Sequence, residues 1–339
     1  MLVIAPSSLQ YWQRFRLGRM PHVPGLSPFD VRPASHQVRL ARLTTCVDVP
    51  SGIETQDHLG QALLGIEPPV HLAVTDPNAR RSSSLRRCHL MAAPLPSGGF
   101  MRLRPGLYMA TPELTVVAMA TALSRTELLA LIHCLCGRFV PVAGEGMRKA
   151  PPVTRVDAIA SFVRRNPGLR GGSATLRALR LAHDRCASPM EVALLLLACL
   201  PCRHGGFGLP FPLVNERIVP SREYAGKLGQ GWYECDMLWP KAHVVMEYDG
   251  EEGHAGADKM AHDAARRNDL RHLGNTVFVI TKRQLYSEPG LERAMAQVSR
   301  AIGFKPRHRQ MGLEWNLQHA RLRQELLFRD EDVGAVRFD

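Results

Sequence analysis

The chain has 339 residues, 45% of them hydrophobic and 22% charged, a composition that excludes a wholly disordered protein. Its formal net charge of +12 at pH 7 favours polyanionic partners, nucleic acid first, but says nothing about the fold. The longest apolar run, Val192–Leu200, is about half of what a membrane span needs, and the first residues do not resemble a secretory signal, so we expect a cytoplasmic protein with no membrane partner.

The amino-terminal residues 1–145 alternate short apolar stretches with turn residues, which predicts an α+β domain. Thr111-Pro112-Glu113 has a capping threonine before a proline and so predicts the start of a helix. The other elements that we predict in this part are strands at Val70–Val74, Cys88–Met91 and Gly106–Met109 and a helix near Thr126–Leu135.

Residues 146–187 have the composition of a helical connector. Helical spacing occurs in Val156–Arg165 and in Ser173–Ala182, and Gly171-Gly172 separates the two segments. Five arginines belong to this part of the chain: Arg164, Arg165, Arg170, Arg177 and Arg180. They form either an ordinary solvated helix face or a stripe that faces nucleic acid.

Residues 188–305 predict a second domain, and residues 306–339 a tail with one helix, Leu313–Leu327. Gly205–Pro220 is expected to be a loop with strand fragments. The predicted regular elements are a helix after Ser188, strands at Gly231–Trp239, Ala242–Tyr248 and Thr276–Thr281, and helices at Asp258–Leu273 and Leu291–Ile302. The chain as a whole is therefore expected to be of the α/β (α+β) class.

Cysteine usage adds one alternative site. The eight cysteines are expected to be reduced thiols in the cytoplasm. Cys199 and Cys202 form a C-x-x-C pair with His204 nearby, a spacing that zinc sites use. Cys199 also belongs to a strongly apolar run, which favours a buried small side chain instead.

Two acidic residues stand out because each lies in an apolar strand. Asp236 belongs to the strand before Pro240-Lys241 and Glu247 to the strand after it, so the two strands predict an antiparallel hairpin. Acids that converge in a partly buried place repel one another unless they are solvated, paired or bound to a cation. Mg²⁺ prefers carboxylate and water oxygens, so a magnesium or manganese site at Asp236 and Glu247 is the prediction.

This arrangement resembles the restriction-endonuclease-like superfamily, which carries an Asp on one strand and Glu-x-Lys on the next. It is more similar to the very-short-patch-repair-like endonuclease domains of unknown function, in which the second motif is Glu-x-Asp-Gly followed by His. The matching residues are Ser188 to Glu191, Asp236, Glu247-Tyr248-Asp249-Gly250, His254 and Asp263-Ala264-Ala265-Arg266. The resemblance covers about 115 residues. It implies a domain with a mixed sheet flanked by helices, and it implies that this domain cleaves DNA.

The resemblance also implies site roles. Asp236 and Glu247 would hold the metal ion, and Glu191 and Asp249 would complete the acidic cluster. Glu191 is also explained by a capping box with Ser188, and Asp249 by a turn at Asp249-Gly250. Asp249 replaces the lysine of the superfamily, so a descendant that binds nucleic acid without cleaving it is an alternative.

The remaining predicted site residues are basic. His254, Lys259 or Lys282 would assist proton transfer or stabilise charge. The residues predicted to bind nucleic acid are Arg266, Arg267, Lys259 and Lys282. A lone loop histidine is more often solvated than catalytic. Asp263 and Arg266 are three residues apart on a helix, so a structural ion pair between them is the simpler alternative.

The amino-terminal half resembles part of the AbiEi-type abortive-infection antitoxins. The matching segments are Pro69–Val74, Asp76–Arg81, Gly106–Tyr108 and Thr111–Leu114. This resemblance implies DNA binding and a toxin partner, although residues 1–60 contain no helix-turn-helix pattern.

Three functions follow from the sequence. The first is a Mg²⁺- or Mn²⁺-dependent DNA endonuclease, for which a homodimer is expected where both strands are cut. The second is a non-catalytic, DNA-binding regulator of the toxin–antitoxin type with a degenerate nuclease domain. The third is a module whose basic helices bind a protein partner.

Overall fold

The computed structural model describes residues 2–19, 65–80, 82–91, 95–104, 107–142, 146–221, 224, 231–250 and 257–328. The chain divides into two compact units. The main segments of the first are Met1–Val142 and Arg148–Ala182, and the main segment of the second is His183–Ala335. Both units mix helices with parallel and antiparallel strands, so the predicted α/β (α+β) class is confirmed.

The first unit is built on a five-stranded mixed sheet in the order β3-β2-β1-β5-β4. Its elements are β1 (Leu2–Val3), α1 (Ser7–Arg16), β2 (Val70–Val74), β3 (Arg86–Leu90), β4 (Phe100–Arg104), β5 (Leu107–Ala110), α2 (Pro112–Met119), α3 (Arg125–Cys136), β6 (Phe139–Val142), β7 (Gly146–Lys149), α4 (Val156–Arg165) and α5 (Gly172–Leu179). β6 and β7 form a separate two-stranded sheet.

The strand and helix predictions for this unit are confirmed within a few residues. β2 has the predicted bounds, lies inside the sheet between β3 and β1, and is buried along its whole length, so both of its faces are covered. Thr111 caps α2 through a bond from the Leu114 amide, and Ser124 forms a capping box with Glu127 at the start of α3. Helices α4 and α5, expected in the connector, pack against α2 and α3 within the first unit.

Helix α1 is an element that the sequence analysis missed, and its last residue organises the unit. The Arg16 guanidinium is buried and donates to four backbone carbonyls, those of Cys134, Gly137, Ala150 and Pro151, at 2.6 to 3.1 Å. Two of these carbonyls belong to the end of α3, where a helix leaves acceptors unsatisfied and favours a cation. Burial lowers the pKa of Arg16 from its ordinary value.

The second unit contains a four-stranded sheet in the order β11-β10-β9-β8. Its elements are α6 (Pro189–Cys199), β8 (Leu213–Ile218), β9 (Tyr233–Trp239), β10 (Val244–Asp249), α7 (Ala257–His272), β11 (Thr276–Thr281), α8 (Lys282–Tyr286), α9 (Glu288–Ala301), α10 (His308–Met311) and α11 (Leu313–Leu327). Strands β8, β9 and β10 are antiparallel neighbours, and β11 runs parallel to β10.

The predicted hairpin is confirmed: β9 and β10 are antiparallel and joined through a short helical turn at Pro240–Ala242. Gly205–Pro220 was predicted to be a loop with strand fragments, and within it Leu213–Ile218 forms the edge strand β8, whose bounds were not predicted. Alternation failed to reveal β8 because Asn215 interrupts it with a left-handed backbone, φ 46°.

The core of the second unit lies between the sheet and α7, where Tyr233, Cys235, Val245 and Leu270 pack together. Helix α11 has the predicted bounds and packs on α6, and its Trp315 indole donates to the Gly206 carbonyl at 2.9 Å. No described helix combines the length and the apolar character that a bilayer span requires.

Candidate acidic site

Asp236 lies where β9 and β10 separate. Their ladder pairs Val244 with Trp239 and ends at the pair Met246 and Met237. Beyond that point the Asp236 carboxylate replaces the ladder, because its Oδ2 accepts a hydrogen bond from the Tyr248 amide at 2.8 Å. The carboxyl group is thereby held between the two strands at the position that sequence analysis assigned to a metal ligand.

The electrostatic surroundings of Asp236 are unfavourable to its charged form. Burial raises the pKa of Asp236 to about 8, and repulsion from Glu191 and then Glu247 adds to the rise. The Tyr248 amide and the nearby Arg266 act in the opposite direction but do not offset it. Three acids from α6, β9 and β10 therefore lie within electrostatic range of one another.

Glu247 has a cationic partner within the chain. Arg266 of α7 donates to both of its carboxylate oxygens, Nη1 to Oε2 and Nη2 to Oε1, each at 2.7 Å. Arg266 also donates to the Glu234 carbonyl, so the guanidinium bridges β10 and β9. The expected surface pair of Arg266 with Asp263 gives way to this bidentate, partly buried contact.

Glu191 has a structural role as well as an acidic one. Its amide bonds to the capping Ser188 hydroxyl, and its Oε2 accepts from the Ala187 amide at 2.9 Å. The same oxygen accepts from the Asn215 side-chain amide, also at 2.9 Å. Capping therefore explains the position of Glu191, and the bond from β8 directs its carboxylate towards the sheet.

Asn215 belongs to the site and was missed by the sequence analysis. It is 2% exposed, and its neighbours Val214 and Glu216 pair with Met237 and Cys235, which places it beside Asp236. Asparagine tolerates the left-handed conformation better than most residues, so a polar side chain can occupy this irregular position of β8. The signal in the sequence is a lone asparagine within an otherwise strand-like segment.

The other predicted site residues are distributed as follows. Asp249 ends β10 and pairs with Thr281 of β11, so Lys282, which is exposed, begins α8 at the same edge of the sheet. Arg267 bonds within its own helix, to the Asp263 carbonyl at 3.1 Å. His254 lies outside the described residues, and so does the side chain of Lys259, whose backbone belongs to α7.

Cys199 has the buried character that the apolar run favours, whereas Cys202 is half-buried. Cys199 is 3% exposed, and burial raises its pKa well above the ordinary value. The Sγ atoms of Cys199 and Cys202 each approach a backbone carbonyl at 3.8 Å, that of Pro210 and that of Phe207. Both thiols therefore interact with the backbone of the loop that follows α6.

The donor set fits a divalent cation only in part. In the part of the chain that the structure describes, no group of three or more His, Cys, Asp or Glu side chains is arranged to hold a metal ion. Arg266 engages both oxygens of Glu247, and Glu191 Oε2 already accepts two hydrogen bonds. A cation would therefore have to compete with Arg266 for Glu247, and at Asp236 it would displace a proton to solvent and stabilise the charged carboxylate.

No family model, curated protein or solved structure matches this chain. The acidic site consequently stands on its own geometry, and the two resemblances of the sequence remain expectations.

Proposed function

We propose that the second unit is a Mg²⁺- or Mn²⁺-dependent endonuclease that hydrolyses phosphodiester bonds in DNA. The observation that carries the proposal is the Asp236 carboxyl group, which is held between two strands and within range of Glu191 and Glu247. Carboxylates gathered in this way are stabilised by a doubly charged ion. The order α6, β8, β9, β10, α7, β11 supports it too, since the resemblance implies a mixed sheet flanked by helices.

In this proposal Asp236 and Glu247 hold the ion, and Glu191 and Asp249 shape the charge around it. The ion, when bound, would activate water and stabilise the charge that develops on the phosphate. Arg266 would then serve two anionic partners in turn, the Glu247 carboxylate and a DNA phosphate. Its guanidinium neutralises Glu247 in the described arrangement and would contact a phosphate once Glu247 turns to the cation.

The test is cleavage of supercoiled plasmid in Mg²⁺ or Mn²⁺ by the full chain and by Asp236→Asn. The asparagine keeps an acceptor for the Tyr248 amide but cannot supply a negative oxygen. We expect at least a 100-fold loss of cleavage, with DNA binding in EDTA unchanged. Asp157→Asn, the same change at an exposed carboxylate of the first unit, is the matched control and should cleave normally.

Equal cleavage by the full chain and by Asp236→Asn would end the catalytic assignment, since a contaminating nuclease would then explain the activity.

A second candidate, a DNA-binding regulator with a degenerate nuclease domain, is favoured by one observation. The bidentate pair of Arg266 with Glu247 already satisfies a carboxylate that a nuclease would offer to the metal, and Asp249 stands where the superfamily has lysine. Salt-sensitive DNA binding with no cleavage in either metal would establish this candidate and exclude the first.

The partners proposed with these functions are DNA in both cases and a toxin protein for the regulator, with a cytoplasmic location. A homodimer would bring two acidic sites to the two strands of a duplex. Sedimentation of the chain with and without DNA measures that stoichiometry, and a 1:1 complex accompanied by double-strand cleavage would argue against a dimer.

A further inference from the structure

Helices α4 and α5 of the first unit, together with the residues that join and follow them, expose a set of arginines that the acidic site does not use. We call this set the arginine face, and its members are Arg164, Arg165, Arg170, Arg177 and Arg180. All five are exposed, so each guanidinium is available to a partner.

The fold fixes the direction of this face. Helix α4 buries Ile159, Phe162 and Val163, and α5 buries Thr175 and Ala178, so the arginines on these helices lie on the solvent side. Arg170 lies in the turn between the helices, and Arg180 directly follows α5. Arg177 and Arg180 are three residues apart and therefore neighbours on the surface of α5. The face is thus displayed by two packed helices rather than by a loose segment.

The turn between the helices is tightly packed. Gly171 has a φ of 90°, and a Cβ atom there would lie 2.1 Å from the Val117 carbonyl oxygen of α2. Only glycine allows this approach, and it holds the start of α5 against the rest of the unit. This contact anchors the start of α5 against α2.

The charge of this face is uncompensated. Residues 158–183 contain no aspartate or glutamate, and in the described part of the chain none of the five arginines has an acidic partner within 4.0 Å. Exposed arginines on either side differ, since Arg155 pairs with Asp157 and Arg185 with Glu216. A solvated helix surface usually mixes both signs of charge, and this one does not.

A local explanation covers only part of the pattern. Arg164, Arg165 and Arg177 lie in the last turns of their helices, where the helix dipole favours a cation. The dipole does not explain why acidic residues are missing from 26 successive positions. A partner that supplies the negative charge explains both features.

We propose that the arginine face binds the phosphate backbone of DNA. Arginine offers a planar fork of donors that matches phosphate oxygens in a bidentate way, and the face contains no lysine. Contacts of this kind position a protein on nucleic acid without reading its sequence. This inference concerns the first unit and does not depend on cleavage or on a metal at Asp236.

The test compares two matched double variants of the full chain. Arg177→Gln with Arg180→Gln removes two charges from the arginine face, and Arg293→Gln with Arg300→Gln removes two exposed charges from helix α9 of the second unit. Duplex DNA binding is measured in EDTA between 50 and 200 mM salt. The slope of log K against log salt should fall by about 1.8 for the first variant, about 0.9 for each lost contact, and stay unchanged for the second.

A variant in which all five arginines of the arginine face are changed to glutamine should bind DNA at least tenfold more weakly than the parent chain at 50 mM salt. Equal losses for the two double variants would overturn the proposal, because diffuse net charge would then suffice. Tight binding of anionic lipid vesicles with no binding of DNA would also overturn it, in favour of a membrane surface. All of these outcomes are read as DNA binding in EDTA, so the absence of cleavage would leave them unaffected, which separates this proposal from the failure of the nuclease.

Discussion

Arg16 in the first unit and Asp236 in the second are both charged groups removed from water, and their surroundings are opposite. Arg16 donates to four carbonyls, and every one of these contacts favours its charged form. Asp236 accepts from one amide and has two acids nearby, so its neighbours favour the neutral form. A buried charge with complete hydrogen bonding is a structural element, whereas one surrounded by like charges indicates a site that needs something more.

The largest effect should come from Arg16→Met, which tests the structural half of this comparison. Methionine fills a similar volume but leaves four buried carbonyls without a donor, so the free energy of unfolding should fall by about 4 kcal/mol. Urea unfolding measures it. Arg177→Met, at an exposed position, should change stability by less than about 0.5 kcal/mol. If Arg16→Met left the free energy of unfolding unchanged, water would be satisfying these carbonyls, and the contrast between Arg16 and Asp236 would disappear.

Arg266→Met should lower the free energy of unfolding by about 3 kcal/mol, because Glu247 would remain partly buried without its partner. Adding Glu247→Gln to this variant should recover part of the loss. If the site binds a cation, Mn²⁺ should stabilise the Arg266→Met chain more than the parent chain, because the Arg266 guanidinium no longer competes with the ion for Glu247. An equal or smaller effect of Mn²⁺ on the variant would favour the non-catalytic candidate.

The pH dependence of stability sharpens the comparison at Asp236. The pKa of this group is raised in the folded chain, so its contribution is greatest below pH 4 and is lost as the pH rises through about 8. A protonated carboxyl and an amide are near in shape, so Asp236→Asn should be closest to the parent in stability near pH 4, below which Asp236 is protonated in both the folded and the unfolded chain. At pH 9 the variant should be more stable by on the order of 2 kcal/mol in urea unfolding.

Mg²⁺ should remove that difference at pH 9 by stabilising the parent chain and not the variant. Parallel stability curves for the two chains from pH 5 to pH 9 would mean that Asp236 titrates normally and that the acidic cluster is not strained.

The smallest effect concerns the cap that positions Glu191. Ser188→Ala removes the acceptor for the Glu191 amide and should cost about 1 kcal/mol of stability. Because the Asn215 and Ala187 bonds remain, the Glu191 carboxylate should stay in place and cleavage should change less than threefold. A loss of cleavage much larger than the loss of stability would show that the cap itself sets the position of the acid.

Local sequence signals predicted most elements because they depend on neighbours in the chain. The threonine and proline at Thr111 and Pro112 start α2, and the alternation and turn around Pro240 produce the β9–β10 hairpin. Helix α1 was not predicted, and strand β8 was predicted only as strand fragments within a loop. Helix α1 is held in place by contacts between residues distant in the chain, such as Arg16 and the Cys134 carbonyl. The alternation of β8 is interrupted at Asn215, where φ is positive.

The sequence by itself determined the fold class, the hairpin and the two acids on neighbouring strands, since burial patterns and turn chemistry are local properties. The tertiary structure decided the partners: Arg266 binds Glu247 rather than Asp263, Asn215 holds Glu191, and Asp236 bonds the Tyr248 amide. These contacts join residues 12 to 24 positions apart on different elements, and only packing brings such groups within hydrogen-bonding distance.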